Sequence, residues 1–253
     1  MMEAVSAAAV LLFGLCVGSF LNVVIARLPE GRSIVSPGSA CPRCGRAIRW
    51  HDNVPVLSFL WLRARCRHCG GAISWRYPLV ELATGGLFVL AFLSRGPGAL
   101  LPGALVLAAA LVAVTAIDLD HQIIPDVVTL PGIAVGLALS VATGQPQWTD
   151  AVIGSLAGGA IFFVIIVASR GGMGGGDMKL GAMLGAFLGW KPLLVAVLAA
   201  VLVGGALAIA LLALGRKGRK DAVPFGPFLA LGGVIALLWG DRLIAWYLGA
   251  FVP

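Results

Sequence analysis

Long apolar runs recur from one end of the chain to the other. They constrain the fold of this chain more than any other feature of the sequence does. Of its 253 residues, 60% are hydrophobic and only 11% are charged, whereas soluble domains carry about 25% charged residues. An apolar run of about 18 residues or more is typical of a helix that crosses a bilayer. We therefore expect an all-α, polytopic membrane protein of about eight transmembrane helices, in preference to a very hydrophobic soluble bundle.

The predicted spans leave one long polar segment. We expect a first transmembrane helix within 1–27, a small cytoplasmic zinc-ribbon-like domain at 28–76, and a transmembrane domain at 77–253. Segment 178–190 is too short to cross about 30 Å of hydrocarbon unaided. It is either a partial helix or continuous with the next segment around Pro192. The apolar segments of the last domain are 78–94, 98–117, 123–142, 151–169, 178–190, 192–214 and 226–249.

The basic residues are distributed unequally between alternate loops. The segments 27–76, 118–123, 170–177 and 215–225, with their flanks, hold all of the 18 Lys and Arg residues except Arg95, Lys191 and Arg242. Cytoplasmic loops carry such an excess of positive charge. The polar segment is therefore predicted to face the cytoplasm, with both termini outside. The net charge of +7 reflects this topology, and we expect no nucleic-acid partner.

Two aspartates occur where apolar segments meet polar ones. Asp118 ends the apolar run 105–117, and Asp177 follows three glycines. Carboxylates at membrane depth are costly and indicate function. Two carboxyls close together cannot both ionise, so such a pair can activate water for peptide hydrolysis. The alternative is that Asp118 and Asp177 are inert, solvated acids at a membrane boundary. We interpret five other aspartates in that way: Asp120, Asp126, Asp150, Asp221 and Asp241. Asp120 is the rival of Asp118 if the register is wrong.

Four cysteines in the polar segment form two C-x-x-C pairs. Cys41 and Cys44 are separated from Cys66 and Cys69 by 21 residues, one beyond the common spacing of zinc ribbons. Four thiolates suit tetrahedral Zn²⁺, and a complete ligand set favours a structural ion. Unmetallated redox dithiols are the alternative. The fifth cysteine, Cys16, is expected to be a packing residue of the first span.

Several motifs together resemble the type IV prepilin peptidases, which are intramembrane aspartyl proteases of the G-x-G-D type. Residues 174–177 match G-x-G-D, and 118–126 match a motif in which an aspartate precedes proline by seven positions. Residues 18–24, 50–58, 76–81 and 224–228 also fit, so the resemblance covers about 14–230. One departure is Ala64, where the family usually has glycine, which puts a local turn in doubt.

The resemblance implies a bifunctional enzyme of the bacterial inner membrane. Asp118 and Asp177 would be its catalytic pair, cutting the leader from type IV prepilins or type II secretion pseudopilins at the cytoplasmic face. The new amino terminus would then be N-methylated with S-adenosylmethionine, for which Glu30, Asp52 and Glu81 are candidate binding residues. The lipid bilayer and the prepilin are the implied partners, and the oligomeric state is not indicated. A peptidase-only member, a transporter using buried acids as a proton relay, and a zinc-ribbon scaffold remain alternatives.

Overall fold

The computed structural model describes residues 2–169, 173–215 and 224–251. Helices account for most of these ranges, and the two β-bridges in them are isolated. The α-helices are α1 (Met2–Arg27), α2 (Leu57–Trp61), α3 (Arg76–Arg95), α4 (Leu101–His121), α5 (Asp126–Thr143), α6 (Trp148–Ala168), α7 (Gly175–Leu188), α8 (Trp190–Ala213) and α9 (Gly226–Phe251). Asp221 lies outside the described ranges, as do the following basic residues of the loops 170–177 and 215–225 discussed above: Arg170, Arg216, Lys217, Arg219 and Lys220.

Seven of the described helices are long and apolar enough to cross a membrane, which confirms the expected all-α membrane fold with one candidate span fewer than the eight expected. They are α1, α3, α4, α5, α6, α8 and α9. Helix α7 has only 14 residues and so extends over only about 21 Å. It ends at Gly189, whose φ of 78° breaks the helix. Segment 178–190 is therefore a separate short helix, and Pro192 lies in the first turn of α8, where proline is tolerated.

Two compact units divide the chain, and the first comprises Met1–Leu101. In it, α1 and α3 pack closely at Gly14 and Gly18. A Cβ at Gly14 would lie 2.8 Å from the Cα of Gly85, so the helices approach at a distance that only small residues allow. Cys16 is exposed on α1. Our expectation that it packs in the interior is therefore wrong, because it lies off the helix face that contacts α3.

The turn that contains Ala64 is retained despite the missing glycine. Ala64 has a φ of 58°, and Arg63 before it has a φ of 51°. Both lie in the left-handed region, which glycine adopts without steric cost. The Ala64 carbonyl accepts a hydrogen bond of 2.7 Å from the backbone N–H of Ile73. This bond ties the strained turn to the second cysteine pair, so the surrounding structure holds the alanine in place.

The second unit, Pro102–Pro253, is built around the short helix α7. Gly154 and Gly158 of α6 face Gly181 and Gly185 of α7 so closely that a Cβ on any of them would overlap the opposite helix. Such small-xxx-small pairs allow close packing of membrane helices. On another side of α7, Met183 packs against α5 at Gly132. Because neighbouring helices enclose α7, its short length does not expose polar backbone to lipid.

Helices α4, α7 and α9 meet at one residue of α9. A Cβ at Gly233 would lie 2.6 Å from Leu184 of α7 and 3.1 Å from Leu111 of α4. Leu111 and Leu184 are both fully buried. This contact aligns three helices in the core of the unit, so that the end of α4 lies beside the first turns of α7 and α9.

Candidate active site

Asp118 lies in the last turn of α4 and is buried, with 5% of its surface exposed. The backbone N–H of Gly226, the first residue of α9, donates a hydrogen bond to its carboxylate. Helix N-termini present unpaired N–H groups that favour negative charge. A Cβ at Gly226 would lie 2.5 Å from Oδ2 of Asp118. The start of α9 can therefore hold this carboxylate only because residue 226 has no side chain.

Asp177 is the third residue of α7, and 8% of it is exposed. Its carboxylate accepts a hydrogen bond from the backbone N–H of Gly174, the N-cap of the helix. An acid at this position that bonds back to the N-cap forms half of a capping box. The local sequence thus fixes the aspartate at the start of α7. Its Oδ1 atom is buried and has no hydrogen-bond partner among the described residues.

The structure brings the two aspartates together. Asp118 is close enough for its charge to act on Asp177, although the two residues come from different helices. Neither carboxyl has a described basic partner. Asp120, the rival of Asp118, is instead exposed. The register therefore directs Asp118 towards Asp177, while the catalytic role of the pair stays a prediction.

Ile124 packs between the two glycine segments that position the aspartates. A Cβ at Gly176 would lie 2.8 Å from Cβ of Ile124, and one at Gly226 would lie 3.2 Å from its Cδ1. The side chain therefore separates the first turns of α7 and α9 and sets the spacing of the carboxylates. Neither Ile124 nor Gly226 is among the site residues predicted from the sequence. The available signals were their positions inside motif segments 118–126 and 224–228.

An ion pair joins α5 to α7 next to the pair of aspartates. Nζ of Lys179 lies 2.7 Å from both carboxylate oxygens of Asp126. The side chains of Lys179 and Asp126 are 30% and 54% exposed, and exposed ion pairs contribute little to stability. Asp126, interpreted above as an inert boundary acid, therefore has a specific partner. The pair links the start of α5 to the first turns of α7, near Asp177.

The four cysteines of the polar segment converge on one point. Their sulfur atoms all lie within 4.8 Å of one another, and Sγ of Cys41 is 3.9 Å from Sγ of Cys69. Tetrahedral zinc with Zn–S distances of about 2.3 Å requires sulfurs about 3.8 Å apart. Backbone N–H groups of Cys44 and Arg43 lower the pKa of Cys41 to about 6, which favours the thiolate that binds metal. Despite the Gly71 N–H, desolvation and the other three thiols raise the pKa of Cys69 to about 11, so a bound cation is needed for all four to ionise together. The residues fit a zinc ion.

The two cysteine pairs are built in the same way. In the first, Gly45 N–H bonds to Cys41 carbonyl at 2.9 Å; in the second, Gly70 N–H bonds to Cys66 carbonyl at 2.9 Å. Gly45 and Gly70 have φ values of 68° and 65°, so each turn uses glycine immediately after its second cysteine. These paired turns are what a C-x-x-C-G sequence predicts for a zinc knuckle.

The three candidate acids for methyl-donor binding have separate partners. Glu30 is exposed and forms an ion pair of 2.7 Å with Arg32. Asp52 accepts hydrogen bonds of 2.6–3.0 Å from Arg67, and these bonds lower its pKa. Glu81 is buried in α3 and accepts a bond of 2.7 Å from the backbone N–H of Val56. Of the three, only Glu81 is a buried carboxylate without a basic partner among the described residues.

Comparisons with known proteins cover most of the chain. The model of the bacterial peptidase A24 N-terminal domain matches residues 12–95, and that of the type IV leader peptidase family matches 105–209. Several relatives carry the name prepilin leader peptidase/N-methyltransferase. One from Aeromonas salmonicida is 42% identical over 273 positions, covering 96% of this chain and 94% of the relative.

Two further relatives of that name show similar agreement. One from Pseudomonas aeruginosa is 41% identical over 266 positions, covering 94% of this chain and 92% of the relative. One from Myxococcus xanthus is 50% identical over 220 positions, covering 84% of this chain and 66% of the relative. No solved structure matches the chain.

Proposed function

The chain belongs to the type IV leader peptidase family, and from that premise we propose that it cleaves the leader from prepilins and N-methylates the amino terminus it exposes. The relatives' names carry both activities. Both parts of the chain match the family, including the N-terminal part that holds the cysteines. Membership in a peptidase family argues against the transporter and scaffold alternatives.

Asp118 and Asp177 are proposed to hydrolyse the peptide bond by activating water. Two buried carboxyls whose charges act on each other would share one proton, since ionising both is unfavourable. The ionised carboxyl takes a proton from water as the water oxygen attacks the scissile carbonyl carbon. The protonated carboxyl donates its proton to the carbonyl oxygen. The C–N bond then breaks, and the amine leaves with a proton returned by the pair.

The single observation that carries this mechanism is the unpartnered Oδ1 of Asp177 beside Asp118. Buried polar atoms are nearly always hydrogen-bonded, so this oxygen, which has no partner among the described protein groups, is a suitable place for a water molecule to bind. The other contacts of both carboxylates come from backbone N–H groups of Gly226 and Gly174. Backbone donors hold the carboxyls in place without neutralising them. The free oxygen remains available for the shared proton and the attacking water.

The substrate and the membrane face follow from charge and from family membership. We propose that the chain is a multi-pass protein of the bacterial inner membrane, with the site at the cytoplasmic face. Supporting this orientation, 15 of the 18 Lys and Arg residues fall in loops of one predicted side. A prepilin has its basic leader in the cytoplasm and its apolar helix in the bilayer, so the scissile bond would lie at that face. Pseudopilins of type II secretion have the same chemistry and are proposed as further substrates.

Zinc and S-adenosylmethionine have separate proposed roles. Cys41, Cys44, Cys66 and Cys69 would hold a structural zinc ion, which supplies stability to a segment with little apolar core of its own. S-adenosylmethionine supplies an electrophilic methyl group when bound. The protein's task in that step is to bind the donor and to receive the new amino terminus.

An assay with a defined prepilin tests both activities. Purified full-length protein in detergent is mixed with the prepilin, with and without methyl-labelled S-adenosylmethionine, and the products are analysed by mass spectrometry. We expect cleavage in both reactions and addition of a methyl group only with the donor. An unlabelled, cleaved product would reduce the function to a peptidase. An uncleaved prepilin would contradict the proposal.

A further inference from the structure

The first unit contains a cavity of about 400 Å³ beside the C-terminal half of α1, within the range of roughly 300–1,000 Å³ usual for small-molecule sites. Helix α1 forms one wall, with Ser19 and Phe20. Loop residues such as Ser39, Asn53 and Pro55 form the others. The lining thus combines an aromatic side chain with hydroxyl and amide groups, which suits an amphipathic ligand.

A buried carboxylate lies directly behind this cavity. Ser19, which lines the cavity, donates its hydroxyl to the carboxylate of Glu81. Glu81 is 7% exposed, and among the described residues its partners are this hydroxyl and the Val56 N–H, with no ion pair to Lys or Arg. A buried charge without a counter-ion is unfavourable. When Glu81 is ionised, the cavity wall at Ser19 favours a cation, because a bound positive charge would offset the buried negative one.

Glu81 also fixes the opposite wall of the cavity. Val56 has φ 60° and ψ −48°, and the N–H of Leu57 bonds to the Pro55 carbonyl at 2.6 Å. This is the strained form of γ-turn, which is rare for a β-branched residue. The carboxylate of Glu81 accepts the Val56 N–H at the centre of the turn. One side chain thus links the helix wall to the loop wall.

Arg27 closes the third side. Its guanidinium donates to the carbonyls of Ser33 at 3.0 Å and Gly38 at 3.2 Å, which holds the loop over the end of α1. Arg27 also lines the cavity. The cavity therefore has an anionic group behind Ser19 and a cationic group at Arg27. A ligand with a positive centre and a carboxylate would complement both.

We propose that this cavity is the binding site for S-adenosylmethionine, with the sulfonium near Ser19 and Glu81 and the methionine carboxylate towards Arg27. The inference rests on the proposed N-methyltransferase function and places its donor in the N-terminal unit. Phe20 is half-exposed and offers its ring to the adenine. Glu81 acts as an electrostatic group rather than as a ligand in direct contact, because Ser19 stands between it and the cavity.

Replacement of the Glu81 charge tests the proposal with a readout independent of activity. Glu81→Gln retains an oxygen that can accept the Val56 N–H but removes the charge. In equilibrium binding to the full chain, the variant should bind S-adenosylmethionine roughly tenfold more weakly, equivalent to about 1.4 kcal/mol. S-adenosylhomocysteine lacks the sulfonium charge, so its affinity should change little. Asp150→Asn, at an acid of the second unit that does not line the cavity, is the control and should bind both as wild type does.

Alkylation of Cys16 provides a second measurement that does not depend on a variant folding correctly. Cys16 lines the cavity from within the span of α1, so bound S-adenosylmethionine should slow its reaction with a small, uncharged thiol reagent that enters detergent micelles. A zinc-loaded wild-type chain is used, and peptide mapping identifies the labelled cysteine. Unchanged labelling in the presence of saturating donor would overturn the assignment of the cavity.

The outcomes separate this inference from the function on which it rests. If the wild type methylates prepilin while Cys16 stays unprotected, or while Glu81→Gln binds the donor normally, the site lies elsewhere and the methyltransferase function stands. Equal loss of both ligands by Glu81→Gln would give Glu81 a purely structural role and overturn its electrostatic one. If the wild type cleaves but neither binds the donor nor methylates, the methyltransferase function itself fails.

Discussion

The backbone N–H of Gly226, at the start of α9, donates a hydrogen bond to the carboxylate of Asp118, near the end of α4. A side chain at position 226 would force this contact to shift, because its Cβ would lie 2.5 Å from Oδ2 of Asp118. Gly226 also packs against Ile124, which contacts Gly176 beside Asp177. The separation of the two aspartates therefore depends on Gly226, Ile124 and Gly176, whose side chains cannot take part in catalysis.

Gly226→Ala should reduce cleavage by displacing Asp118. A shift of about 1 Å in a catalytic group can lower the rate roughly 100-fold, and we expect a loss of that order in kcat for a prepilin substrate. Gly205→Ala is the matched control, because a Cβ there meets no atom within 4 Å. Cleavage by Gly226→Ala at the wild-type rate would show that the start of α9 does not position the carboxylate.

Gly158→Ala should destabilise the contact between α6 and α7. A Cβ at Gly158 would overlap the backbone of Gly181, and relieving such overpacking typically costs about 1–3 kcal/mol. We expect a lower midpoint of thermal unfolding in detergent and weaker cleavage, since α7 carries Asp177. The adjacent Gly159→Ala should match the wild type, because its Cβ would lie 3.8 Å from Cβ of Ala182. Equal stability of the two variants would contradict this packing.

The zinc assignment predicts about one zinc ion per chain by elemental analysis, as four thiolate ligands require. Cys44→Ser removes one ligand and should lower the zinc content. Cys16→Ser should retain the ion, because Cys16 lies outside the cluster of sulfurs. A stable wild-type protein free of zinc would contradict the knuckle interpretation.

The sequence predicts the helices better than the contacts between them. Apolar runs identify the spans because each one must satisfy its backbone internally, and the short length of α7 is visible from the sequence alone. Helix α7 begins at Gly175 in the structure, whereas the sequence predicts a start at 178. The first turn includes two glycines, and the carboxylate of Asp177 in that turn bonds to the N-cap residue. Glycine has a low helix propensity, so the sequence pattern favours a later start.

The candidate site is predictable only in part for the same reason. The motifs point to Asp118 and Asp177, and the spacing of the cysteines points to a cluster that the structure assembles. The role of Gly226 follows from a close approach between α4 and α9, which no local pattern encodes. The strained turn at Val56 and the cavity beside Ser19 likewise depend on packing of the chain against Glu81. The sequence makes Glu81 one of three candidate acids for donor binding, but tertiary packing decides that, of those three, it is the one buried without a basic partner among the described residues.

The role of the two aspartates is tested most directly by measuring prepilin cleavage with Asp118→Asn, Asp177→Asn and Asp120→Asn proteins. Asparagine preserves size but cannot share or transfer the proton, so the first two variants should lose cleavage while remaining folded and zinc-loaded. Asp120→Asn should cleave at close to the wild-type rate, because Asp120 is exposed outside the pair. Normal cleavage by either Asp118→Asn or Asp177→Asn would contradict the proposed mechanism.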